Sequence, residues 1–581
     1  MLECVGMCRA TWRYLSEKVP VDIKEWREIL LHNRGLKGLA QQEAFFTGRD
    51  PLEITLREAE IDKTQVKKAL RRILRAVAAG EKVLIFGDYD VDGNCATAIV
   101  WQTLNLLGLT ATPFIPHRSE HGYGMNERSF QAVCNLDFKP SLIISVDNGI
   151  VATPIIQRFI DGGTDVVITD HHEPEIDKAG DIILPPGDAV VHTTILCGAG
   201  VAWFLCRELL REAVKKELLA PAKANRLIIS LLSLVALATV VDQVSSLGVN
   251  RHLIKAGLQA MRDQAPVGLQ KLCQISNLEP SALDEDDLGF KIGPRINAIG
   301  RLSNTLDGVR LLCTNSAQKA AQLAAVLNQT NSRRQELTDE LLDLARSQID
   351  RKKLPQVVVV HSEQFHEGII GLIASRLVDE LHRPVIAVAV SSDIAKGSAR
   401  SVPGVNIIEL LRLARANLTE LGGHSMAAGF SARQDKLNAF IKDLNTLAKQ
   451  KISAQCLTPQ LILDHPANVK LLTDSKACDL LASFAPHGVD NECVQVSLTG
   501  QVVKTYPLGA QNQHLKFLIK DESSKNLIQV LQWRAANCSY LPILGDQVNL
   551  AARLEINHFR EQTSVQLIAL DWQIPDAAVA K

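Results

Sequence analysis

The pattern of apolar and polar positions divides the chain into regions of different texture. Residues from about 20 to 80 carry Leu, Ala, Lys, Arg and Glu at helical spacing, which predicts a helical N-terminal region over residues 1–80. After Gly80, short apolar runs are each closed by a polar cluster, with helical stretches such as Ala96–Leu107 and Thr153–Asp161 between them. This alternation predicts a parallel α/β sheet. The predicted strands are Lys82–Phe86, Ser141–Val146 and Asp165–Ile168.

Further along the chain the texture changes twice more. Residues from about 200 to 245 are helical in pattern, and residues 315–350 form a long, charged, amphipathic segment that predicts a connector helix. A second α/β unit begins at the apolar run Gln356–His361. These shifts predict an α/β domain over residues 81–245, a helical connector over 246–350 and a second α/β domain over 355–450.

From about residue 457 the pattern becomes one of strands with little helix between them. Five such strands favour a small β-barrel over residues 457–575, and the OB-fold, which binds oligonucleotides, is the commonest five-stranded candidate. The predicted fold class is therefore a multidomain α/β protein that ends in an OB-like barrel. The predicted barrel strands are Val494–Val503, His514–Lys520, Leu527–Trp533, Gln547–Leu554 and Ser564–Ile568.

The composition indicates the cellular compartment of the protein more clearly than its function. The net charge is −1, so any basic nucleic-acid surface must be local rather than general. The 12 cysteines show no CxxC pair, which is typical of a reduced, cytoplasmic protein. The longest apolar run, Leu227–Val241, has about fifteen residues, too few to span a bilayer, and predicts a buried helix. We expect a soluble protein without a membrane association.

Three carboxylates at alternate positions follow the first predicted strand. Asp88, Asp90 and Asp92 would repel one another at a strand end unless a cation offset their charge. Oxygen ligands of this kind suit Mg²⁺ or Mn²⁺. An EF-hand calcium loop opens similarly, but its twelfth position would be Ile99 rather than Glu, and a strand precedes this loop rather than a helix. The motif therefore predicts a magnesium or manganese site.

Three more clusters of metal-binding side chains follow within the same α/β region. Asp147 ends the next predicted strand, and Asp170, His171 and His172 end the one after it. Asp242 follows the apolar helix, where an acid opposes the helix dipole unless a positive partner compensates. Mixed Asp and His ligation with several carboxylates predicts two Mn²⁺ or Mg²⁺ ions, whereas a structural zinc site would want cysteine.

The four clusters resemble, in order and spacing, motifs I to IV of the DHH phosphoesterase superfamily. Further segments, within roughly residues 25 to 435, are similar to the RecJ branch of that superfamily. The chain departs from the family pattern at Gln243–Leu247, at Phe365 in place of a usual Trp, and at Phe484–Glu492. The similar segments are Pro116–Gly124, Ile292–Leu302, Phe365–Gly371, Lys396–Ser401 and Gly422–Gly429.

The resemblance implies both an architecture and an activity. A DHH domain would be joined by a long helix to a DHH-associated domain, with the substrate strand between them and an OB-fold beyond. The implied activity is that of a single-stranded-DNA-specific 5′-to-3′ exonuclease, which hydrolyses phosphodiester bonds by two-metal catalysis in DNA repair and recombination. Single-strand-binding protein and other repair or replication proteins are the candidate protein partners.

The resemblance also assigns roles to residues. Asp90 and Asp92 are the safest metal ligands of motif I, Asp88 is either a ligand or a support, and Asp170 and His172 orient ligands or touch the phosphate. The implied metal ligands are Asp88, Asp90, Asp92, Asp147, His171 and Asp242, and the catalytic set is Asp90, Asp92, Asp147, Asp170, His171, His172 and Asp242. The candidates for phosphate or DNA binding are Arg118, Tyr123, Arg295, Asn297, Arg301, Arg376, Arg400, Gly422, Gly423 and His424.

Three other functions stay open from the sequence, and one of them, a manganese-dependent pyrophosphatase, is disfavoured by the chain length and the long connector. DHH enzymes that cleave oligoribonucleotides or cyclic dinucleotides are shorter and lack a barrel, so the region after residue 457 argues against them. A non-catalytic DNA-binding scaffold would have no need of the five ligands Asp90, Asp92, Asp147, His171 and Asp242.

Overall fold

The structure is a computed structural model, and it describes residues 10–117, 120–122, 124–177, 179–302, 305–535, 541–560 and 562–573. The chain divides into two compact units. The parallel-sheet unit consists of Thr47–Leu337 with the short segment Pro486–Asn491. The barrel unit consists of the described parts of Met1–Phe46, Thr338–Ala485 and Glu492–Lys581.

The parallel-sheet unit is built on five strands that all run in the same direction, which confirms the predicted parallel sheet. Every residue of Val83–Phe86 and Leu142–Val146 is buried, as expected of a sheet covered on both faces. The chain reverses its direction of winding between these two strands, so their carboxyl ends border a crevice where ligands bind in such sheets. In sheet order the strands are Ala111–Phe114, Val83–Phe86, Leu142–Val146, Asp165–Asp170 and Ala189–His192.

Helices cover this sheet and form the rest of the unit. The apolar run predicted as a buried helix belongs to Pro221–Val241, which has 21 residues because Pro221 provides an N-terminal start. By length and composition this helix could cross a membrane, but 61% of its most apolar window is buried inside the protein, as in the core helix of a soluble protein. The helices are Lys63–Ala79, Val91–Leu106, Glu127–Cys134, Thr153–Asp161, Gly198–Lys215, Pro221–Val241, Gly248–Gln264, Val267–Ile275, Gly293–Leu302 and Leu306–Cys313, with a π-helix at Asp287–Ile292.

The predicted connector helix spans Ala317–Ser347, and the boundary between the two units falls within it. Beyond it, the barrel unit contains a second five-stranded sheet. Val385–Val390 pairs in parallel with Val358–Ser362, and the remaining pairings of this sheet are antiparallel. In sheet order the strands are Glu420–Gly423, Ala427–Arg433, Ile394–Arg400, Val385–Val390 and Val358–Ser362, and the accompanying helices are Ile370–Leu381, Ile407–Leu413 and Leu437–Lys451.

Five C-terminal strands close into a barrel, which confirms the OB-like prediction. Gln495–Leu508 pairs with both His514–Lys520 and Gln547–Phe559, so the sheet has no free edge at this strand. The remaining two barrel strands are Ile528–Gln532 and Gln562–Gln573.

The N-terminal region is not helical throughout. Thr11–Tyr14 forms a strand that pairs in parallel with Gln460–Leu463, a partner about 450 residues away that a local pattern cannot reveal. The helices Ile23–Asn33 and Leu39–Thr47 follow, and the side chain of Asp22 caps the first of them by accepting a hydrogen bond from the Glu25 N–H.

Candidate metal centre

The first acidic motif links a buried strand to a helix. The helix Val91–Leu106 begins five residues before the predicted Ala96, because Asp90 caps it and accepts a hydrogen bond from the Gly93 N–H at 3.0 Å. Gly93 lets the loop fold tightly, since a Cβ at this position would lie 2.5 Å from the carbonyl oxygen of Asp88. The turn therefore brings Asp88 and Asp90 to the carboxyl end of the sheet.

The Asp92 carboxylate is held by the start of another helix. It is buried and accepts hydrogen bonds from the N–H groups of Gly198 at 2.5 Å and Ala199 at 2.7 Å. These are the first residues of Gly198–Lys215, so the positive end of that helix dipole faces the carboxylate. Backbone groups, rather than a basic side chain, fix this acid in place.

Asp147 is the most constrained of the acids. Its backbone adopts φ +60, a left-handed conformation, and its side chain is buried. Its Oδ1 has no hydrogen-bond partner in the part of the chain that the structure describes. Burial, together with the charges of Asp92, Asp90, Asp88 and Asp242, raises its pKa well above the ordinary value. A buried carboxylate surrounded by other acids in this way calls for a cation.

His171 lies among three of the acids. Its Nε2 is 3.2 Å from Asp147 Oδ1, 3.7 Å from Asp92 Oδ2 and 3.7 Å from Asp242 Oδ2. Burial lowers the pKa of His171, which favours the neutral imidazole that metals bind. The contacts place an imidazole nitrogen where carboxylates from three separate elements converge.

Asp242 caps the carboxyl end of Pro221–Val241. Burial and the charges of Asp92 and Asp90 raise its pKa to about 9. The helix dipole is also unfavourable for an acid at this position, as the sequence indicated. Without a positive ligand, the ionised form of this side chain is therefore strongly disfavoured.

The six predicted metal ligands fall into two groups of three. Within each group one donor atom per residue lies within 4.8 Å of the others. Carboxylate oxygens and an imidazole nitrogen at this spacing suit Mn²⁺ or Mg²⁺, and the buried Oδ1 of Asp147, which makes no hydrogen bond among the described residues, agrees with that fit. The first group is Asp88, Asp90 and Asp147, and the second is Asp92, His171 and Asp242.

A third cluster involves His172, which the sequence did not place among the metal ligands. A nitrogen of His172 lies within 4.8 Å of donor atoms of Asp147 and His171. His172 Nδ1 is also 2.8 Å from Asp170 Oδ1. Burial alone would lower the pKa of His172, but its hydrogen bond with Asp170 and the Asp170 charge raise it to about 9.

Asp170 acts through its neighbours. Its buried carboxylate accepts hydrogen bonds from the N–H groups of Ile150 at 2.8 Å and His171 at 2.7 Å, besides its contact with His172. His192, which sequence reasoning missed, places its Nε2 at 2.7 Å from the carbonyl oxygen of His172. Both residues contact the histidine pair, and such contacts can orient metal ligands. Whether Asp170 orients ligands or touches the phosphate stays a prediction.

Two of the DNA-binding candidates support the protein itself. Asn297 Oδ1 accepts a hydrogen bond from the Val91 N–H at 3.0 Å, so this side chain holds the first turn of the motif I helix. Arg295 Nε donates to Asn328 Oδ1 at 3.0 Å, and its Nη1 donates to the carbonyl of Lys291. Arg301 lies in the last turn of the same helix, Gly293–Leu302. Arg118 and Tyr123 lie outside the described residues.

The remaining candidates belong to the barrel unit. Arg376 pairs with Asp339 at 2.6 Å, and Arg400 Nη1 donates to Ser398 Oγ at 3.1 Å. Gly422 and Gly423 form the exposed end of the edge strand Glu420–Gly423, and the exposed His424 follows it. Gly423 has φ +134, and a Cβ there would lie 2.5 Å from the Ala427 carbonyl oxygen, so the turn requires glycine.

Comparisons with known proteins agree with this architecture. Residues 82–239 match the DHH family, N-terminal domain, residues 354–450 match the DHHA1 domain, and residues 465–571 match the RecJ OB domain. The single-stranded-DNA-specific exonuclease RecJ of Dickeya dadantii is 32% identical over 87% of this chain and 89% of its own length. The chain belongs to the RecJ family. The predicted resemblance to the DHH superfamily and its RecJ branch is thereby confirmed.

Other RecJ proteins show the same extent of similarity. RecJ of Bacillus subtilis is 31% identical over 89% of this chain, and the match spans 64% of that longer relative. The crystal structure of Thermus thermophilus RecJ in complex with Mn²⁺ superposes with a TM-score of 0.78 at 26% identity, covering 98% of this chain and 80% of that one. The complex of the same protein with Mg²⁺ gives a TM-score of 0.74 and covers 98% of this chain and 79% of that one.

Proposed function

We propose that this RecJ-family chain is a metal-dependent exonuclease that degrades single-stranded DNA from the 5′ end and releases mononucleotides in DNA repair and recombination. The observation that carries the proposal is the convergence of two ligand groups at the winding reversal of the parallel sheet. The choice of single-stranded DNA as substrate rests on the relatives named for single-stranded-DNA-specific exonuclease activity. The direction of attack rests on the family resemblance.

In this proposal, Asp88, Asp90 and Asp147 hold one divalent ion, and Asp92, His171 and Asp242 hold the other. When bound, Mn²⁺ or Mg²⁺ would offset negative charge on the phosphate and would activate a water molecule as the nucleophile near neutral pH. Both ions have been seen in complex with Thermus RecJ.

Other groups of the chain hold the metal-binding side chains in position. The N–H groups of Gly198 and Ala199 fix Asp92, and Asp170 fixes both histidines. His172 lies beside the ligand groups with its Nδ1 2.8 Å from Asp170 Oδ1, so its other ring nitrogen can donate a hydrogen bond to a phosphate oxygen.

We also propose a cytoplasmic location and a protein partner of the single-strand-binding or repair class. The cysteines in the described ranges are free thiols, which supports a reducing compartment. The partner assignment rests on the family resemblance.

The experiment that tests the function uses oligonucleotides labelled at the 5′ or the 3′ end. Single-stranded DNA, double-stranded DNA and RNA are each incubated with Mn²⁺, Mg²⁺ or chelator. We expect rapid loss of the 5′ label from single-stranded DNA and no cleavage in chelator. Asp147→Ala should abolish turnover, whereas Asp161→Ala, an exposed acid at the end of Thr153–Asp161, should not. Attack from the 3′ end or a preference for RNA would overturn the substrate assignment.

A further inference from the structure

One aromatic ring of the parallel-sheet unit is exposed without an evident structural reason. Phe290 lies in the π-helix Asp287–Ile292 and is 78% exposed. Among the described residues of this unit, the other exposed large apolar side chains are aliphatic. Phenylalanine at this exposure forgoes the stabilisation of burial, and π-helical turns occur frequently at functional sites.

The π-helix packs directly against the helix that delivers Asp242. A Cβ at Gly293 would lie 2.5 Å from Val241 Cγ2, and a Cβ at Gly289 would lie 3.6 Å from Val240 Cγ1. Adding the covalent lengths along this path bounds the separation of the Phe290 and Asp242 Cα atoms at about 17 Å. The ring therefore lies within a few nucleotides of a phosphate at the metal centre.

Four acidic residues, 284–287, precede Phe290, and Glu285 and Asp287 among them contact basic residues. Asp287 pairs with Lys291 at 2.7 Å, and Glu285 accepts a hydrogen bond from the His487 N–H at 2.6 Å. These pairings reduce the repulsion that the acidic run before the ring would otherwise exert on DNA. The exposed ring offers an apolar face rather than a charge, so its natural partner is a base and not a phosphate.

We propose that Phe290 is a stacking platform for a nucleobase of the substrate strand, a few nucleotides from the bond that is cleaved. This assignment rests on the proposed action on single-stranded DNA. Every base has a π-face, so stacking on Phe290 holds the strand without reading its sequence. The ring then helps to keep the strand in register with the two ligand groups.

The first test measures binding without cleavage. An Asp147→Ala background is titrated with single-stranded oligonucleotides that carry 2-aminopurine at each of the first six positions from the 5′ end. One position should be quenched by stacking, and Phe290→Ala should remove that quenching and weaken binding about 5- to 100-fold. Phe290→Tyr should retain both, and Leu218→Ala, which removes another exposed apolar side chain of the same unit, should change neither.

The second test uses the cleaving enzyme. Phe290→Ala should raise KM for single-stranded DNA by a similar factor with kcat nearly unchanged, and one abasic position in the substrate should erase the difference between variant and parent. An equal loss on every abasic substrate would show a structural role and overturn the proposal, as would unchanged quenching in Phe290→Ala. If the parent protein binds and quenches DNA but never cleaves it, the proposed function fails while the stacking assignment stands.

Discussion

Replacing Gly198 by alanine perturbs the metal centre without removing any of its ligands. Gly198 opens the helix Gly198–Lys215, and its N–H donates to Asp92. A Cβ at this position would lie 2.7 Å from both Cβ and Oδ1 of Asp147. Alanine keeps the N–H donor and suits the helix better than glycine, so a loss of function would come from the displaced carboxylate.

The size of the effect follows from the overlap. Real Cβ contacts lie at about 3.4 Å or more, so Asp147 must move by about 0.7 Å or the helix must shift. A displacement near 1 Å at a reacting centre lowers rates about a hundredfold. Overpacking a buried site also lowers stability by about 1–3 kcal/mol. We therefore expect kcat to fall about a hundredfold while the protein remains folded.

Gly200→Ala is the matched control, because it adds the same methyl group two residues along the same helix. Its Cβ would meet Leu196 at 3.2 Å rather than a ligand carboxylate. The assay is steady-state release of nucleotides from 5′-labelled single-stranded DNA over a range of Mn²⁺ concentrations, with thermal unfolding of each variant alongside. Equal activity in the two variants would refute the reasoning, since it would show that the position of Asp147 does not limit the reaction.

Three further predictions concern charge. Asp147→Asn should abolish turnover yet raise the melting temperature in chelator, because it removes a buried carboxylate that other acids surround; a lower melting temperature would contradict this. Burial raises the pKa of Asp242 to about 9, against about 4 in unfolded chains, so metal-free folded protein keeps a proton that the unfolded chain releases. The melting temperature of the metal-free protein should therefore fall as pH rises from about 5 to 8, and bound Mn²⁺ should remove that pH dependence. Asp464→Ala removes the acidic partner, 3.2 Å away, of Arg34, whose side chain is 5% exposed, and should destabilise the barrel unit by about 3 kcal/mol in denaturant unfolding, with Asp161→Ala unchanged.

Much of the metal centre could be predicted from the sequence because its ligands follow strands whose apolar runs are easily recognised. Parallel strands bring their carboxyl ends to one edge, so Asp88, Asp147 and Asp170 were expected to meet. Asp242 was harder to place, and only its position after a long apolar helix suggested a role. In the structure the same helix begins at Pro221. The sequence did not reveal this start because polar residues occupy the first turns of the helix.

The parts that the sequence did not predict lack a local signal. Ala111–Phe114 and Ala189–His192 are four-residue strands at the two edges of the sheet, too short for a recognisable alternation. The support of Asp92 comes from backbone N–H groups about 106 residues away, which leave no mark in side-chain chemistry. Asn297 has a structural contact that its sequence context did not reveal, since its Oδ1 accepts a hydrogen bond from the Val91 N–H, and its role in DNA binding stays a prediction.

Anomalous diffraction from crystals grown with Mn²⁺ would test the paired-ion arrangement most directly. We predict two manganese peaks about 3.5–4 Å apart, one bounded by Asp88, Asp90 and Asp147 and the other by Asp92, His171 and Asp242. A single peak, or peaks remote from these six side chains, would contradict the account.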